Sequence, residues 1–341
     1  MLSKKETYNI AIVGATGIVG ESLLDILYSR NFPISNLSVI ASDKSKNTKV
    51  KFGSDLLTVE SVNSYDFKET DIAFFSAGSN VSKEFVPRAV DSDCVVIDNT
   101  SEFRYVDDIP LIIPEVNLDQ LPNYKNQNII ANPNCSTIQM LVALKPIHDR
   151  YIVQEINVST YQAVSGSGRK GMNELIDQTN SYFEGKDIKS TVYPKQIAFN
   201  VIPFVDSFCD NSYTKEEMKM VWETQKILGS SINVNPTAVR VPVLIGHSES
   251  IAVKTEKNID VNQVIKDFQN HDSIQIVDDW KNFAFPTASS EGQGTDDVYI
   301  GRIRKGLDND NILNLWVVAD NVRKGAALNS VQIAEKLIES L

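Results

Sequence analysis

The feature that most constrains the fold is a short apolar segment that leads directly into a glycine-rich turn near the N-terminus. Tyr8–Val13 predicts a buried strand, and Gly14, Gly17 and Gly20 follow it at regular spacing. The next segment has the apolar stripe of a helix, formed by Leu23, Leu24, Ile26 and Leu27. Strand, glycine turn and helix in this order can seat a pyrophosphate on N–H groups at the helix start. The GxxGxxG spacing differs from GxGxxG, so the turn alone does not identify a dinucleotide site.

The same alternation of strand and helix patterns continues over about the first 130 residues. Strands are predicted at Leu37–Ala41, Ile72–Ser76 and Cys94–Asp98, and Cys94 is then most simply a core residue. This pattern predicts a doubly wound, Rossmann-like α/β domain over residues 1–133. Ligands bind in such sheets beyond the carboxyl ends of the strands. The predicted cofactor contacts in these turns are Gly14, Thr16, Gly17, Ile18, Val19, Ser76, Ala77 and Gly78.

The end of the second predicted strand bears on the choice between NAD and NADP. An acidic residue at this position would hold the ribose 2′-hydroxyl of NAD, and Asp43 is available. Ser42, Lys44 and Ser45 offer hydroxyls and a cation, which suit a 2′-phosphate better. These three residues therefore favour NADP, although Lys44 is also explained as an ordinary exposed loop lysine.

A second local feature is the polar turn Asn132–Thr137, which leads into an amphipathic helix extending to Arg150. The turn places Cys135 among the first residues of that helix. Unsatisfied N–H groups and the helix dipole favour a thiolate there, which is the nucleophilic form of cysteine. The alternative is that Cys135 simply packs against its surroundings, as most cysteines outside disulfides do.

Composition narrows the possible classes of function. The 341 residues have room for two domains, and a formal net charge of −11 argues against a general nucleic-acid-binding role. No apolar stretch approaches the length of a membrane span, and the N-terminus lacks a secretory apolar region. Cys94, Cys135 and Cys209 have no CxxC spacing and predict neither disulfides nor a metal site. A cytoplasmic protein fits this pattern.

The sequence after Cys135 is richer in strand patterns and predicts an α+β domain over residues 134–321. Strands are predicted at Val153–Val164, Ala238–Ile245, Ser250–Thr255, Tyr299–Arg304 and Ile312–Ala319. Helices are predicted at Gly171–Phe183, Glu216–Leu228 and Val261–Phe268. We expect an antiparallel-dominated sheet with helices on one face. The amphipathic C-terminal helix, within residues 322–341, is expected to pack back on the first domain.

The second predicted domain contains two groups of polar candidates. Arg240 and His247 are predicted at the two ends of one strand-turn element, where His247 is either a general acid/base or a hydrogen-bonded turn histidine. Thr214 and Glu217 form a capping box that opens a helix. The buried side of this helix is predicted to consist of Met218, Val221, Trp222 and Leu228. Its charged side is explained as a solvated face and consists of Glu216, Lys219, Glu223 and Lys226.

Two further polar candidates follow strand ends. Arg104 comes just after the loop Thr100–Phe103, where a lone arginine can clamp an oxyanion with both arms of its guanidinium. Asn321 and the segment Arg323–Gly325 form a polar loop just after the strand Ile312–Ala319.

Six segments stand in a specific order along the chain: Gly14–Gly20, Asn132–Thr137, Thr160–Gly166, Glu216–Lys219, Arg240–His247 and Asp320–Gly325. Together they resemble the aspartate-semialdehyde dehydrogenase family from Ile10 to about Glu335, with a cysteine motif similar to the branch common in Gram-positive bacteria. The resemblance implies a Rossmann-like domain joined to an α+β substrate and dimerisation domain of the glyceraldehyde-3-phosphate-dehydrogenase-like type. It also implies a homodimer.

The resemblance implies NADPH-dependent reduction of L-aspartyl 4-phosphate to L-aspartate 4-semialdehyde and phosphate, a step of lysine (diaminopimelate), threonine and methionine biosynthesis. Cys135 would form a thioester, Gln162 would position the reacting centre, and His247 would act as the acid/base. Arg240 would hold the α-carboxylate and Glu216 the α-amino group. The implied phosphate contacts are Arg104, Asn134 and Lys219. The implied cofactor contacts near the nicotinamide are Ser165, Gly166 and Asn321.

The chain departs from the family pattern at two places. Lys44 stands where many members carry arginine, and a lysine offers a phosphate a point charge rather than a fork. The segment Ser289–Asp296 is more polar and richer in glycine than its family counterpart.

Two other functions are compatible with parts of the pattern. N-Acetyl-glutamyl-phosphate reductase uses the same thioester chemistry on an acylated substrate, but the carboxylate of Glu216 favours a free amino group. A non-catalytic NADP-binding paralogue would act as a sensor or structural partner. Such a protein has no use for Cys135, Gln162 and His247 together.

Overall fold

A computed structural model describes residues 2–341, which divide into two compact units. The first unit consists of residues 2–134 and 326–341, and the second consists of residues 135–325. Each unit is built around its own main β-sheet, and the two are described separately below. Within residues 2–341 no helix has both the length and the apolar character that crossing a membrane requires.

The strands of the first unit are β1 (Tyr8–Val13), β2 (Ile34–Ala41), β3 (Lys49–Phe52), β4 (Asp55–Thr58), β5 (Glu60–Ser61), β6 (Ile72–Phe75), β7 (Val95–Asp98) and β8 (Ile129–Ala131). The short antiparallel pair of β3 and β4 forms a separate two-stranded sheet. The main sheet is parallel and has the order β5-β2-β1-β6-β7-β8. This is a doubly wound, Rossmann-like sheet, and its strand order reverses between β1 and β6.

The helices of the first unit are α1 (Ile18–Ser29), α2 (Ser79–Val90), α3 (Pro114–Asn117) and α8 (Leu328–Glu339), numbered in chain order. The predicted apolar stripe of α1 is confirmed, since Leu23, Leu24, Ile26 and Leu27 are its large buried residues. These side chains share one hydrophobic core with β1 and with the buried face of α8. Cys94 is also fully buried, and burial raises the pKa of its thiol, so it is an apolar core residue.

The strands of the second unit are β9 (Val153–Gln162), β10 (Asn233–Arg240), β11 (His247–Thr255), β12 (Ile274–Ile276), β13 (Val298–Lys305) and β14 (Ile312–Ala319). They form one sheet in the order β10-β9-β11-β14-β13-β12. The outer pairs β10–β9 and β12–β13 are parallel, and the pairs between them are antiparallel. The helices are α4 (Cys135–Tyr151), α5 (Gly168–Phe183), α6 (Lys215–Leu228) and α7 (Val261–Gln269).

Buried and more exposed side chains alternate along the second half of β9, the part of the strand that leads to Gln162. Val158, Thr160 and Gln162 are buried, whereas the intervening Tyr161 is partly exposed. The buried face of the sheet packs against α4, which contacts β9, β11, β13 and β14. Because β9 lies between β10 and β11, a polar residue at its end, such as Gln162, has a neighbouring strand on each side.

Two predictions about the segment around Arg240 are wrong. The strand predicted at Ala238–Ile245 is instead Asn233–Arg240, because Pro242 has no N–H to donate to a sheet and Gly246 turns the chain with φ +95°. Arg240 therefore ends one strand and His247 begins another, and the two do not share one strand-turn element.

The predicted buried side of α6 is also wrong. Trp222 is 39% exposed, and the buried residues of the helix are Glu216, Glu217, Met220, Glu223 and Thr224. The capping box of Thr214 and Glu217 is confirmed by reciprocal hydrogen bonds. The carboxylate of Glu217 also accepts the N–H of Ala238 on β10 at 2.9 Å, so a buried polar contact joins this helix to the sheet. Hydrogen-bonded carboxylates, rather than apolar side chains, decide which side of α6 faces inward.

Candidate active site

The glycine turn of the first unit is shaped by its backbone. Gly14 has φ +99°, a conformation that favours glycine, and its carbonyl oxygen accepts the N–H of Gly17 at 3.0 Å. A Cβ atom on Gly20 would clash with that carbonyl oxygen and lie 2.7 Å from the Cα of Ala15. The helix α1 starts immediately after Gly17, so its first N–H groups point out of a turn without bulky side chains.

The loop after β6 lies directly beside this turn. A Cβ atom on Gly14 would be 2.8 Å from the Oγ of Ser76 and 3.0 Å from the nitrogen of Ala77. Gly78 has φ +95° and open space where a side chain would project. The structure thus brings these predicted cofactor residues together at the point where the strand order reverses. The three remaining predicted residues of the turn, all partly exposed, are Thr16, Ile18 and Val19.

The residues after β2 divide between internal contacts and exposed positions. Asp43 accepts hydrogen bonds from Ser61 and from Asn63, and these bonds lower the pKa of its carboxyl group. Ser42 and Lys44 are exposed, and Ser45 is partly exposed. Hydroxyls and a cation are therefore accessible here, while the carboxylate is already engaged.

Two predicted substrate residues also belong to the first unit. Arg104 is 6% exposed, and its Nη2 donates to the carbonyl oxygen of Asn99 at 2.9 Å. Asn134, also 6% exposed, immediately precedes α4 in sequence. The other predicted substrate residues lie in the second unit.

In the second unit, three strand ends meet around Gln162. Arg240 pairs with Gln162 in the parallel register of β10 and β9, and Ser248 pairs with Tyr161 in the antiparallel register of β11 and β9. His247, one residue before Ser248, therefore begins β11 at the level of Gln162. A Cβ atom on Gly166 would lie 2.9 Å from Nη1 of Arg240 and 3.5 Å from Nε2 of His247. The absence of a side chain at Gly166 leaves room for these two polar groups.

The hydrogen bonds of His247 define its protonation. The ring is fully buried, and its Nδ1 accepts the backbone N–H of Ala163 at 3.0 Å. Burial and the nearby positive charge of Arg240 lower the pKa of His247 to about 3. The ring is therefore neutral at pH 7, and its one proton lies on Nε2, because Nδ1 is used as an acceptor. In the described part of the chain this Nε2 has no hydrogen-bond partner, so it can donate to a ligand.

Cys135 begins α4 as the sequence predicts, and its side chain is partly exposed. Gly325 packs against it so closely that a Cβ atom there would be 2.8 Å from the Cβ of Cys135. The next residue, Ser136, accepts a hydrogen bond from Nε2 of Gln162 at 2.6 Å. Gln162 is thus hydrogen-bonded to the residue that follows the thiol in sequence.

From Ser136 the hydrogen bonds continue through charged residues, and we call the series Ser136–Gln162–Glu216–Lys219–Asp206 the polar chain. Gln162 Nε2 also donates to Oε1 of Glu216 at 3.1 Å, and Oε2 of Glu216 is 2.9 Å from Nζ of Lys219. The same Nζ donates to Oδ2 of Asp206 at 2.8 Å. Although burial opposes its charge, the carboxylates of Glu216 and Asp206 raise the pKa of Lys219. The solvated face predicted for Glu216 and Lys219 is instead a buried, paired cluster.

Ser165 and Asn321 are also brought together. The Oγ of Ser165 donates to Oδ1 of Asn321 at 3.0 Å, and the N–H of Gly246 donates to the same oxygen at 2.9 Å. Asn321 therefore connects the loop after β9 with the residue that precedes His247. Both side chains are buried, with Ser165 5% and Asn321 4% exposed.

Sequence reasoning missed three polar residues of this region. Asp206 lies in an irregular loop, and Gln139 and Glu249 occupy positions in an otherwise apolar helix face and strand face. Gln139 Nε2 donates to the carbonyl oxygen of His247 at 3.5 Å. Glu249 is fully buried on the same side of β11 as His247, and burial raises the pKa of its carboxyl group well above the usual range. For Gln139 and Glu249 the only sequence signal is a polar residue that interrupts an apolar pattern, and Asp206 has no such signal.

Both units match domains of a known protein family. Residues 9–124 match the semialdehyde dehydrogenase NAD-binding domain, and residues 144–324 match the semialdehyde dehydrogenase dimerisation domain. The aspartate-semialdehyde dehydrogenase of Shewanella violacea is 52% identical over 334 residues, which cover 98% of each chain. Aspartate-semialdehyde dehydrogenase 2 of Vibrio cholerae is 50% identical over 334 residues, again 98% of each chain.

Solved structures give the same result. The structure of aspartate semialdehyde dehydrogenase II from Vibrio cholerae, complexed with ASA, has a TM-score of 0.96 and 49% identity. The alignment covers 98% of this chain and 99% of that one. The whole length of both units is therefore shared with these enzymes. The chain belongs to the aspartate-semialdehyde dehydrogenase family.

Proposed function

We propose that this enzyme catalyses the NADPH-dependent reductive dephosphorylation of L-aspartyl 4-phosphate to L-aspartate 4-semialdehyde through a thioester on Cys135. The observation that carries the proposal is the polar chain. In it, Gln162 bonds to Ser136, the residue after the thiol, and to Glu216, which is paired with Lys219. A substrate with an amino group, a carboxylate and a phosphate needs both signs of charge in one site. The reaction would serve lysine, threonine and methionine biosynthesis in the cytoplasm.

The substrate would replace contacts that the protein now makes with itself. Glu216 would accept the α-amino group, and Lys219 would contact the phosphate, each exchanging part of its present contacts for a contact with the substrate. Arg240 would bind the α-carboxylate with its guanidinium. Arg104 and Asn134 are proposed as phosphate contacts from the family resemblance.

Cys135 would begin the reaction from the start of α4. The helix dipole and the open N–H groups of the first turn favour the thiolate and stabilise negative charge on the acyl oxygen. The sulfur would bond to the acyl carbon, and the carbon–oxygen bond to phosphate would break with its electron pair leaving on phosphate. NADPH, when bound, supplies a hydride to the thioester carbon.

His247 would act on the oxygen of the reduced thioester. Its Nε2–H would give a hydrogen bond to the hemithioacetal alkoxide and keep its proton. The carbon–oxygen double bond would then re-form as the carbon–sulfur bond breaks, with the electron pair leaving on the sulfur as the Cys135 thiolate. The ring needs no positive charge for this role, which agrees with its lowered pKa. Gln162 would hold the reacting centre through its fixed amide.

The proposed cofactor contacts are the residues predicted from the sequence. Gly14, Thr16, Gly17, Ile18 and Val19 would contact the pyrophosphate, with Ser76, Ala77 and Gly78 beside them. Ser42, Lys44 and Ser45 would bind the 2′-phosphate, which makes NADP the proposed cofactor. The residues near the nicotinamide would be Ser165, Gly166 and Asn321. The match to a dimerisation domain supports a homodimer in solution, which light scattering can test.

The proposed reaction is tested by following NADP reduction in the presence of aspartate semialdehyde and phosphate. We expect Cys135→Ala to lose about 10⁴-fold or more in kcat, while NADPH binding, measured by fluorescence, is unchanged. Cys209→Ala is the matched control, because Cys209 is also partly exposed but does not stand at a helix start. Substantial turnover by Cys135→Ala would exclude the thioester mechanism.

The same assay separates the related substrates. The wild-type enzyme should be active with aspartate semialdehyde and NADP, and inactive with N-acetylglutamate semialdehyde. The buried carboxylate of Glu216 is the reason, because an acetamide cannot replace the charge of Lys219 beside it. Equal activity on both semialdehydes would contradict the role given to Glu216.

A further inference from the structure

Beside Lys219 lies a carboxylate that no step of the proposed reaction uses. Nζ of Lys219 is 2.8 Å from Oδ2 of Asp206 and 2.9 Å from Oε2 of Glu216, so two acids share one cation. The lysine side chain is only 12% exposed. Any anion that binds this ammonium group must therefore compete with carboxylates that are already in place.

The backbone holds Asp206 at this position. Before it, Ile202 and Arg240 exchange N–H to carbonyl bonds of 2.9 and 2.8 Å. After it, the N–H of Lys215 at the start of α6 donates to the carbonyl oxygen of Ser207 at 2.7 Å. Asp206 itself has φ +71°, in the left-handed region that aspartate tolerates better than most residues. The loop thus presents this carboxylate to Lys219 from a tethered backbone.

The two carboxylates differ in how readily they can be replaced. The side chain of Glu216 is 7% exposed, whereas that of Asp206 is 36% exposed. A buried carboxylate that loses its cation has a large desolvation cost, but an exposed one is solvated by water. Glu216 would also gain the α-amino group of the substrate as a new partner. Asp206 would gain none, so Asp206 is the partner that an incoming phosphate displaces.

We propose that Asp206 is an internal competitor for the anion site at Lys219: it occupies the lysine when no phosphate is bound and weakens the binding of inorganic phosphate and of the acyl phosphate. This inference rests on the proposed function, in which Lys219 contacts phosphate. It has a kinetic consequence. Because Asp206 takes the place of the departing phosphate on the lysine, it favours release of the phosphate product.

The test is Asp206→Asn, since asparagine tolerates the same left-handed backbone and removes only the charge. We expect the Kd for inorganic phosphate, from calorimetric titration of the ligand-free enzyme, to fall by about fivefold, in line with a partly exposed ion pair. The KM for phosphate in the semialdehyde-oxidising direction should fall by a similar factor. The KM for aspartate semialdehyde, which carries no phosphate, should stay the same.

Asp210→Asn is the matched control, because Asp210 is an exposed residue of the same loop and its replacement changes the net charge equally. Its phosphate affinity should match that of the wild type. Equal gains in both variants would show a long-range charge effect and overturn the proposal. Weaker phosphate binding by Asp206→Asn would also overturn it, because Asp206 would then position Lys219 rather than compete for it.

Two further measurements keep the outcomes distinct. Asp206→Gly also permits the positive φ, so it repeats the test if the asparagine variant folds poorly, as judged by circular dichroism. Failure of the wild type to turn over aspartate semialdehyde would refute the proposed function. Phosphate titration without any substrate would still decide whether Asp206 competes for Lys219.

Discussion

The glycine turn of the first unit and the polar chain of the second bind their proposed ligands by opposite means. The turn, from Gly14 to Gly20, is one continuous segment that presents backbone N–H groups and has no room for a side chain at Gly14 or Gly20. The polar chain is assembled from α4, β9, α6 and a loop, and each of its groups is satisfied by another side chain. One site depends on empty space and the other on matched charge.

This difference determines how each site fails. A methyl group added to the turn meets backbone atoms, which cannot move aside without disturbing β1 or α1. A charge removed from the polar chain leaves its partner buried without compensation. Steric change should therefore be most harmful in the first site and charge change in the second.

The largest effect is expected from Gly20→Ala. Its Cβ atom would clash with the Gly14 carbonyl oxygen and approach the Cα of Ala15 to 2.7 Å. We expect the free energy of unfolding to fall by about 4 kcal/mol in urea denaturation. Gly17→Ala is the control, since its φ is −86° and its nearest contact is 3.3 Å, so it should cost less than about 1 kcal/mol. Equal losses in the free energy of unfolding of the two variants would contradict the steric explanation of the turn.

The corresponding change in the polar chain is Lys219→Met. It keeps the length of the side chain but leaves the carboxylate of Glu216, whose side chain is 7% exposed, without its cation. We expect a loss of about 3 kcal/mol in the free energy of unfolding. The double variant Lys219→Met/Glu216→Gln should recover most of it, because no unpaired charge is then buried. If the double variant is as unstable as the single one, packing rather than charge dominates here.

Glu249→Gln should alter how stability depends on pH. Because burial raises the pKa of Glu249, the folded protein keeps a proton that the unfolded chain loses above about pH 4.3. Wild-type stability from this group therefore falls as pH rises, by up to about 1.4 kcal/mol per pH unit. The stability of Glu249→Gln relative to wild type should increase between pH 5 and 7. A pH-independent difference in urea midpoints would mean that Glu249 is ionised in the folded state.

The smallest effect is expected from Lys44→Ala. Lys44 is exposed, so its contact with a 2′-phosphate would be screened by water and salt. We expect the preference for NADP over NAD, as a ratio of kcat/KM values, to fall by about five- to tenfold at low salt. The effect should diminish in 0.5 M salt. An unchanged preference would remove Lys44 from the cofactor site.

Local patterns were predicted well from the sequence. The strand Tyr8–Val13 and the apolar stripe of α1 are as expected, and Cys135 begins α4. These features depend on neighbouring residues, because side-chain periodicity and backbone freedom act within a few residues of one another. The roles of Gln162, Arg240 and Lys219 came instead from the family resemblance. Periodicity alone explained Lys219 as a solvated residue.

The errors concern features that depend on distant contacts. Hydrophobicity predicts the wrong buried side for α6. Glu216 and Glu217 face inward because Lys219 and Ala238 supply partners for their carboxylates. Asp206 had no sequence signal at all, since its meaning comes entirely from Lys219, 13 residues away. A buried charge is stable only with its partner, and the spacing of residues along a chain does not show that partner.

The sequence by itself determined the alternation of strands and helices in the first unit, the glycine turn after its first strand, and the position of a thiol at a helix start. Those properties follow from covalent geometry and local burial, which act on adjacent residues. Only the tertiary structure decided which charges are buried and paired, and which proton His247 carries. Both depend on atoms that folding brings together, such as the Ala163 N–H that fixes the ring of His247 and the carboxylates around Lys219.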